Sequence, residues 1–504
     1  MKKTVISLVL ALAMVISACS AFACTTIYAG SALTTDGSFF FARSEDYSNS
    51  YNKLFAVVKA GTHKAGEVYN GCYGFSYVFT KDSYGYTAFC DDNGEGAGFE
   101  CPDCGSTHAH TPYQAAGTNE MGVSMTATET IGGNELSNTA DPYEDCGIEE
   151  AEITTVILSE ASTAKEGVEL LLSIYDEAGA CGGSGIIIAD ANEAWYIENV
   201  TGHEYIALKL NENLLFAQPN MSIIGLIDLD DTENVIASPK LIETAVNGGF
   251  FVGDQEKNQI NYTLSYSAAG ANARMEQILP YLTGNTYETV EDADYMLSNV
   301  NAEGSIVPLY SNIKAEKVLS IEDIVEFYHL SNIGTARATE THIFQICAPG
   351  ATGTLEWVAV NDPNYNAFVP YLPMLTTEVL PAYGVSTLPA EKTADQPESG
   401  AFYSTTFRTW TAEGPANVDG FCVLPEGWQN GWYWNVDALS HLEKTDDQKA
   451  AILGAIAELQ NECYALAEQL KADGMDAETA TKLSMDMAAK EFAVLSAESA
   501  KLIK

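Results

Sequence analysis

The sequence predicts an α+β layered sandwich, and three observations carry that prediction. Runs of paired strands are separated by runs of paired helices, a pattern that favours a layered sandwich over a parallel doubly wound sheet. Turn residues inside the strand runs fold neighbouring strands into antiparallel hairpins. At 504 residues, the chain is within reach of one large αβ domain with a helical appendage.

The elements follow in order. Lys2 and Lys3 precede an apolar run from Val5 to Ile16 and then small residues, the order of an export signal. That signal has two readable ends. Ile16-Ser17-Ala18-Cys19 fits a lipoprotein box, which would tether the chain by lipid at Cys19, whereas Ala21-Phe22-Ala23 fits ordinary cleavage before Cys24. The expected localisation is secreted or extracytoplasmic, with the lipid anchor as the alternative. No later stretch is apolar for the length needed to span a bilayer.

From Cys24, "CTTIYAG" and "SFFFARSED" form a hairpin turned at Thr35-Asp36-Gly37. Residues 149–178 have apolar positions at helical spacing, with a break at Ser162 or Thr163 between two helices. "SGIIIADANEAWYIENV", folded at Asp190 to Glu193, then "EYIALKL" and "NLLFAQPN" return to strand. A helical region follows, including "ARMEQILPYL" and "VEDADYMLSNV". Strands come back at "THIFQICAP", "TLEWVAVND" and "AFVPYLP". From about Asp437 to Lys504 the composition is helical. This gives a signal over 1–23, a main domain over 24–436 and a helical segment over 437–504. The helices of that segment read equally as the closing part of the domain or as a self-association surface for a homo-oligomer.

With a net charge of −45 and only 24 basic residues, the chain repels nucleic acid and anionic membrane surfaces. Eleven cysteines in an exported chain suggest disulfides. An insert at about 72–110 concentrates Cys72, Cys90, Cys101 and Cys104. There Cys101 and Cys104, with His108 and His110, also have the look of a structural zinc site. Disulfides, structural zinc and inert thiols all remain open, and none makes a catalytic metal site.

The usual hydrolase and nucleotide-binding signatures are absent: no G-x-S-x-G elbow, H-E-x-x-H, Walker loop or dinucleotide fingerprint. His342 lies in an alternating strand pattern, as a structural or substrate-side residue. Without a histidine base, a nucleophilic cysteine needs another proton acceptor. A chain-terminal cysteine carries one, because its own α-amine titrates near pH ~8 and is partly neutral at physiological pH. Removal of residues 1–23 would therefore create nucleophile and base together at Cys24. A cation beside the sulfur and a carboxylate beside the amine complete such a site, and "ARSED" supplies Arg43 and Asp46 on the paired strand. The chain has only four arginines, at 43, 274, 337 and 408.

Together "CTTI", "DGSFFFARSED", "GTNEMGVSMTATETI", "GIIIADANEAWYIE", "FAQPN" and "THIFQICAPGATGTLEWVAVNDPNYNAFVPYL" resemble the dipeptidase A type of dipeptidases. These belong to the N-terminal nucleophile (Ntn) hydrolase superfamily, with sites similar to those of penicillin V acylases and bile salt hydrolases. The resemblance spans residues 24 to about 375 and implies a four-layer αββα sandwich and a cysteine dipeptidase acting on dipeptides. It implies Cys24 as nucleophile, Arg43 beside the thiolate, Asp46 at the α-amine, Asn220 at the oxyanion and Arg274 as a second arginine. No cofactor is implied. Glu129 stands where the acylases place a second oxyanion-side asparagine, and a carboxylate there suits a dipeptide's ammonium. Two alternatives remain: an N-acyl amide hydrolase of the acylase kind, and a non-enzymatic exported Cys-rich binding protein.

Overall fold

The computed structural model describes residues 24–46, 53–71, 74–91, 99–100, 107–108, 113–129, 131–268, 274–284, 318–385, 408–411, 414–417 and 428–502. The signal segment with Cys19, and Cys101, Cys104 and His110 of the insert, lie outside the described residues. So do the side chains of His108 and Glu129.

The first strands form as the alternation requires. Strand β1 (Thr25–Ala29) and β2 (Phe39–Asp46) pair antiparallel, with Thr26 opposite Arg43, and are buried along nearly their whole length. They are so apolar because both lie inside a sheet whose two faces are covered. After β2 come β3 (Lys53–Val58), β4 (Tyr86–Asp91), β5 (Gln114–Thr118) and β6 (Ser124–Glu129). Next are β7 (Ser184–Ala189), β8 (Ala194–Asn199), β9 (Tyr205–Leu210), β10 (Leu215–Gln218) and β11 (Val235–Ala237). The last sandwich strands are β12 (Ala338–Ile346), β13 (Thr354–Val360) and β14 (Val369–Tyr371). One sheet has the order β10-β1-β2-β12-β13-β14 and the other β11-β9-β8-β7-β6-β5-β4-β3.

The two sheets pack face to face through aromatic pairs: Phe55 lies 5.3 Å from Tyr371, and Tyr196 lies 5.0 Å from Phe216 between ring centroids. Helices close both outer faces. Helix α1 (Glu150–Glu160) starts at a capping box formed by Glu149 and Glu152 and packs on β5 and β6. Helix α2 (Ala164–Ala178) is capped by Thr163, at the predicted break, and packs on β7 and β8. On the other side lie α3 (Met275–Thr283), α4 (Trp432–His441), α5 (Asp446–Leu470) and α6 (Ala477–Leu502). Helices α5 and α6 rest on β14, and α4 on β13. The result is the αββα sandwich.

The carboxy-terminal helical segment begins at Trp432, so position 437 falls inside α4. The run "WYWNV" hides the helical period because every side chain in it is buried. Trp432 stacks on Tyr383 at 4.3 Å and donates its indole N–H to Asn366 Oδ1 at 2.8 Å. Glu491 of α6 accepts the main-chain N–H of Ala367, at 2.7 Å, tying this layer to the strand region beside β14.

Candidate active site

Cys24 sits just before an interior strand and is only 4% exposed. Alternation along β2 sends Arg43 and Glu45 to the face that meets the second sheet, and Ser44 and Asp46 to the helix-covered face. The partners agree: Glu45 is 2.7 Å from Lys53 of β3, whereas Asp46 is 3.7 Å from Arg274, the residue that precedes α3.

On the inner face, Arg43 Nη2 donates to Cys24 Sγ at 3.3 Å and to Glu150 Oε1 at 2.7 Å, and lies 3.6 Å from Glu45 Oε2. Burial pushes the Cys24 thiol above its ordinary value. Arg43 pulls it down, while Glu150, Glu45 and Asp46 add to the rise. Burial pulls the Arg43 pKa down, but Cys24, Glu150, Tyr113 and Glu45 outweigh it, so the guanidinium stays charged. Glu45 is held below its usual range because Lys53 and Arg43 outweigh its burial. Lys53 bridges Glu45 to Asp91 and lies 4.7 Å over the Tyr113 ring, extending the charged network away from the thiol.

On the outer face, Arg274 grips main chain. Its Nη1 donates to the Cys24 carbonyl at 2.6 Å and to Thr25 Oγ1 at 3.0 Å. Tyr328 donates its hydroxyl to the Thr25 carbonyl at 3.1 Å, so the start of β1 is clamped from two sides. Asp46 is buried, with Oδ1 lacking a hydrogen-bond partner among the described residues. Burial pushes its pKa up to about 7, against the pull of Arg274, Arg337 and Arg43.

Asn220 follows β10, the other neighbour of β1. The ladder ends where Thr26 pairs with Gln218, and Asn220 lies two residues beyond that end. Its φ of 54° is left-handed, a conformation asparagine tolerates better than most residues.

The structure brings Cys24, Arg43, Asp46 and Arg274 together, with Asn220 just past the end of the strand that flanks β1, and adds Glu150 and Glu45. Glu150 comes from the first turn of α1, where the helix dipole favours acids, but nothing in the linear sequence connects it to Cys24. Glu129 ends β6 opposite Ser184. His342 lies between the sheets, Nδ1 2.9 Å from Glu340 Oε2 and its ring 5.4 Å from Phe89, in a structural setting. Among the described residues no cluster of His, Cys, Asp and Glu is arranged to hold a metal ion, and no helix is long and apolar enough to cross a membrane.

Comparison with known proteins adds the following. The profile of Peptidase family C69 matches residues 23–275. A probable dipeptidase B of Streptococcus pyogenes serotype M1 is 28% identical, covering 96% of this chain and 93% of its own length. A probable dipeptidase of Salmonella dublin is 28% identical over 69% of this chain and 80% of its own. A solved conjugated bile acid hydrolase from Clostridium perfringens covers 67% of this chain and 89% of its own at 13% identity. Its TM-score of 0.27 gives that likeness no weight here.

Proposed function

The chain belongs to Peptidase family C69 and is a peptide-bond hydrolase, and from that premise we propose that it is a cysteine dipeptidase working through Cys24 as its amino-terminal residue. The observation that carries this reading is Arg43 Nη2 at 3.3 Å from a thiol that burial keeps protonated. A buried neutral thiol needs a base at the moment of attack, and among the described residues no histidine contacts the thiol. The α-amine released by cleavage before Cys24 supplies that base on the nucleophile's own residue.

The amine takes the thiol proton, and the sulfur attacks the carbonyl carbon of the scissile bond. Asn220 and a main-chain N–H stabilise the oxyanion, and Arg43 stabilises the sulfur as it takes on charge. Collapse of the intermediate breaks the C–N bond, and the ammonium returns its proton to the leaving amino acid. Water, deprotonated by the same amine, then attacks the thioester. The acid is released and the thiol regenerated. Asp46 orients the amine throughout, and Arg274 fixes the Cys24 main chain.

The relatives' names support dipeptides as the substrate class, and the Ala21-Phe22-Ala23 box supports export with cleavage before Cys24. Glu129 remains the proposed partner of the substrate ammonium. Dipeptide assays of wild type and Cys24→Ala test the reading. It requires loss of turnover with an unchanged melting temperature, and retained turnover in the variant refutes it.

A further inference from the structure

Lys53 is the first residue of β3, on the face of that strand that meets the other sheet, and it is fully buried. Phe55, two residues on and on the same face, packs into the aromatic core against Tyr371 and Phe89. A charge in such a row costs free energy through its lost hydration, and a buried ion pair is a weak source of stability. Where Lys53 places its charge is therefore the informative feature.

Its Nζ lies 2.7 Å from Glu45 Oε1, pairs with the carboxylate of Asp91, its cross-strand neighbour on β4, and sits 4.7 Å over the Tyr113 ring. Thr339 of β12 donates its hydroxyl to the same Glu45 Oε1, at 3.0 Å. Two donors thus hold Oε1, and the carboxylate turns its other oxygen, Oε2, to Arg43 Nη2 at 3.6 Å. That nitrogen is the one that contacts Cys24 Sγ at 3.3 Å, with Glu150 on it from α1. A continuous line of contacts runs from Asp91 through Lys53, Glu45 and Arg43 to Cys24. Glu340 of β12, directly across from Glu45, faces the same groups and is engaged by His342 Nδ1 at 2.9 Å.

We infer that Lys53 is a positioning residue for the nucleophile: it fixes the Glu45 carboxylate from behind, so that Glu45 in turn holds the Arg43 guanidinium beside the Cys24 sulfur. This rests on Cys24 being the nucleophile. Lys53 acts through Glu45 and Arg43 and moves no proton. Burial works against the charge of Glu45, and Lys53, ahead of Arg43, outweighs it. Without Lys53 the Glu45 carboxyl takes up a proton as pH falls and lets go of the guanidinium.

The test measures kcat/KM for alanyl-alanine against pH in wild type, Lys53→Met, Glu45→Gln and the double variant, with melting temperatures alongside. Lys53→Met is expected to lose about 10- to 100-fold at the acid end of the profile, the scale of one charge-assisted hydrogen bond, and to regain much of it as alkaline pH ionises Glu45. Glu45→Gln, with nothing to ionise, loses as much at every pH, and adding Lys53→Met to it costs little more. A lysine that only filled the core would cost the same factor at every pH and in both backgrounds, and that result overturns the inference. Where Lys53→Met does not fold, Glu45→Gln alone decides, and wild-type kcat/KM in that variant overturns it. Cys24→Ala is assayed beside them. Turnover surviving there brings down the nucleophile reading, whereas its loss together with a pH-independent, additive cost of Lys53→Met brings down only the role of Lys53.

Discussion

Replacing Glu150 with glutamine separates two effects that the geometry sets against each other. Glu150 Oε1 holds Arg43 Nη2 at 2.7 Å, and the same nitrogen contacts Cys24 Sγ at 3.3 Å. The carboxylate therefore anchors the guanidinium and also adds a negative charge near the sulfur. Those two contacts put carboxylate and sulfur no more than about 6 Å apart, close enough for like charges to repel. Glu150→Gln should thus lower the thiol pKa. It also weakens a charge-assisted hydrogen bond worth about 1.5–3 kcal/mol, so Arg43, still held beside the sulfur by Glu45, is oriented less firmly and kcat/KM should fall by about 10- to 100-fold. The thiol becomes easier to ionise while the enzyme becomes slower. Alkylation rate against pH gives the first quantity and steady-state kinetics the second. An unchanged alkylation profile would show that the charge of Glu150 is not felt at the sulfur. A lowered thiol pKa with undiminished kcat/KM would show that it does not position Arg43.

Three further outcomes are expected. Asn220→Ala should cut kcat by about 10²- to 10³-fold with little change in KM, as for loss of an oxyanion donor. Asn220→Gly, which accepts the left-handed φ of 54°, should lose as much, and recovery of rate in the glycine variant would shift the cause to backbone strain. For Asp46, whose folded-state pKa is raised to about 7, ionisation during folding is disfavoured. Its contribution to stability is therefore full below the ordinary carboxylate range near 3.8 and is lost as pH rises through about 7. Melting temperatures should then show Asp46→Asn gaining on wild type between pH 4 and 8, as kcat/KM loses the acid limb that Asp46 supplies; a pH-independent difference would contradict this. Trp432→Ala removes a fully buried ring and its hydrogen bond to Asn366, and urea titration should show a loss of about 3–5 kcal/mol. A loss below about 1 kcal/mol, the scale of an ordinary surface substitution, would mean that α4 is not part of the sandwich.

The legible parts of this fold are those whose information is local. The Cys24 hairpin, the helix break capped by Thr163 and the hairpin folded at Asp190–Glu193 each appear within a few residues of sequence, as alternation, a cap or a turn. Arg43 was legible beside Cys24 for the same reason, because one hairpin joins them. Arg274 and Asn220 came into view only through the family resemblance. Glu150 was illegible because its approach to Arg43 depends on how α1 lies across the second sheet, and no single-strand pattern encodes that. The start of α4 was misplaced because a helix buried on all sides has no polar face to mark its period.

The central claim is that Cys24 becomes the first residue of the working enzyme and carries the acyl group. Mass spectrometry tests it most directly, on enzyme purified from an exporting host, mixed with a dipeptide and quenched in acid during turnover. The account predicts a chain beginning at Cys24, with the mass of the substrate's amino-terminal residue added to the peptide that contains that cysteine. Fully active enzyme that retains Cys19 to Ala23, or an acyl group found on any other residue, would contradict it.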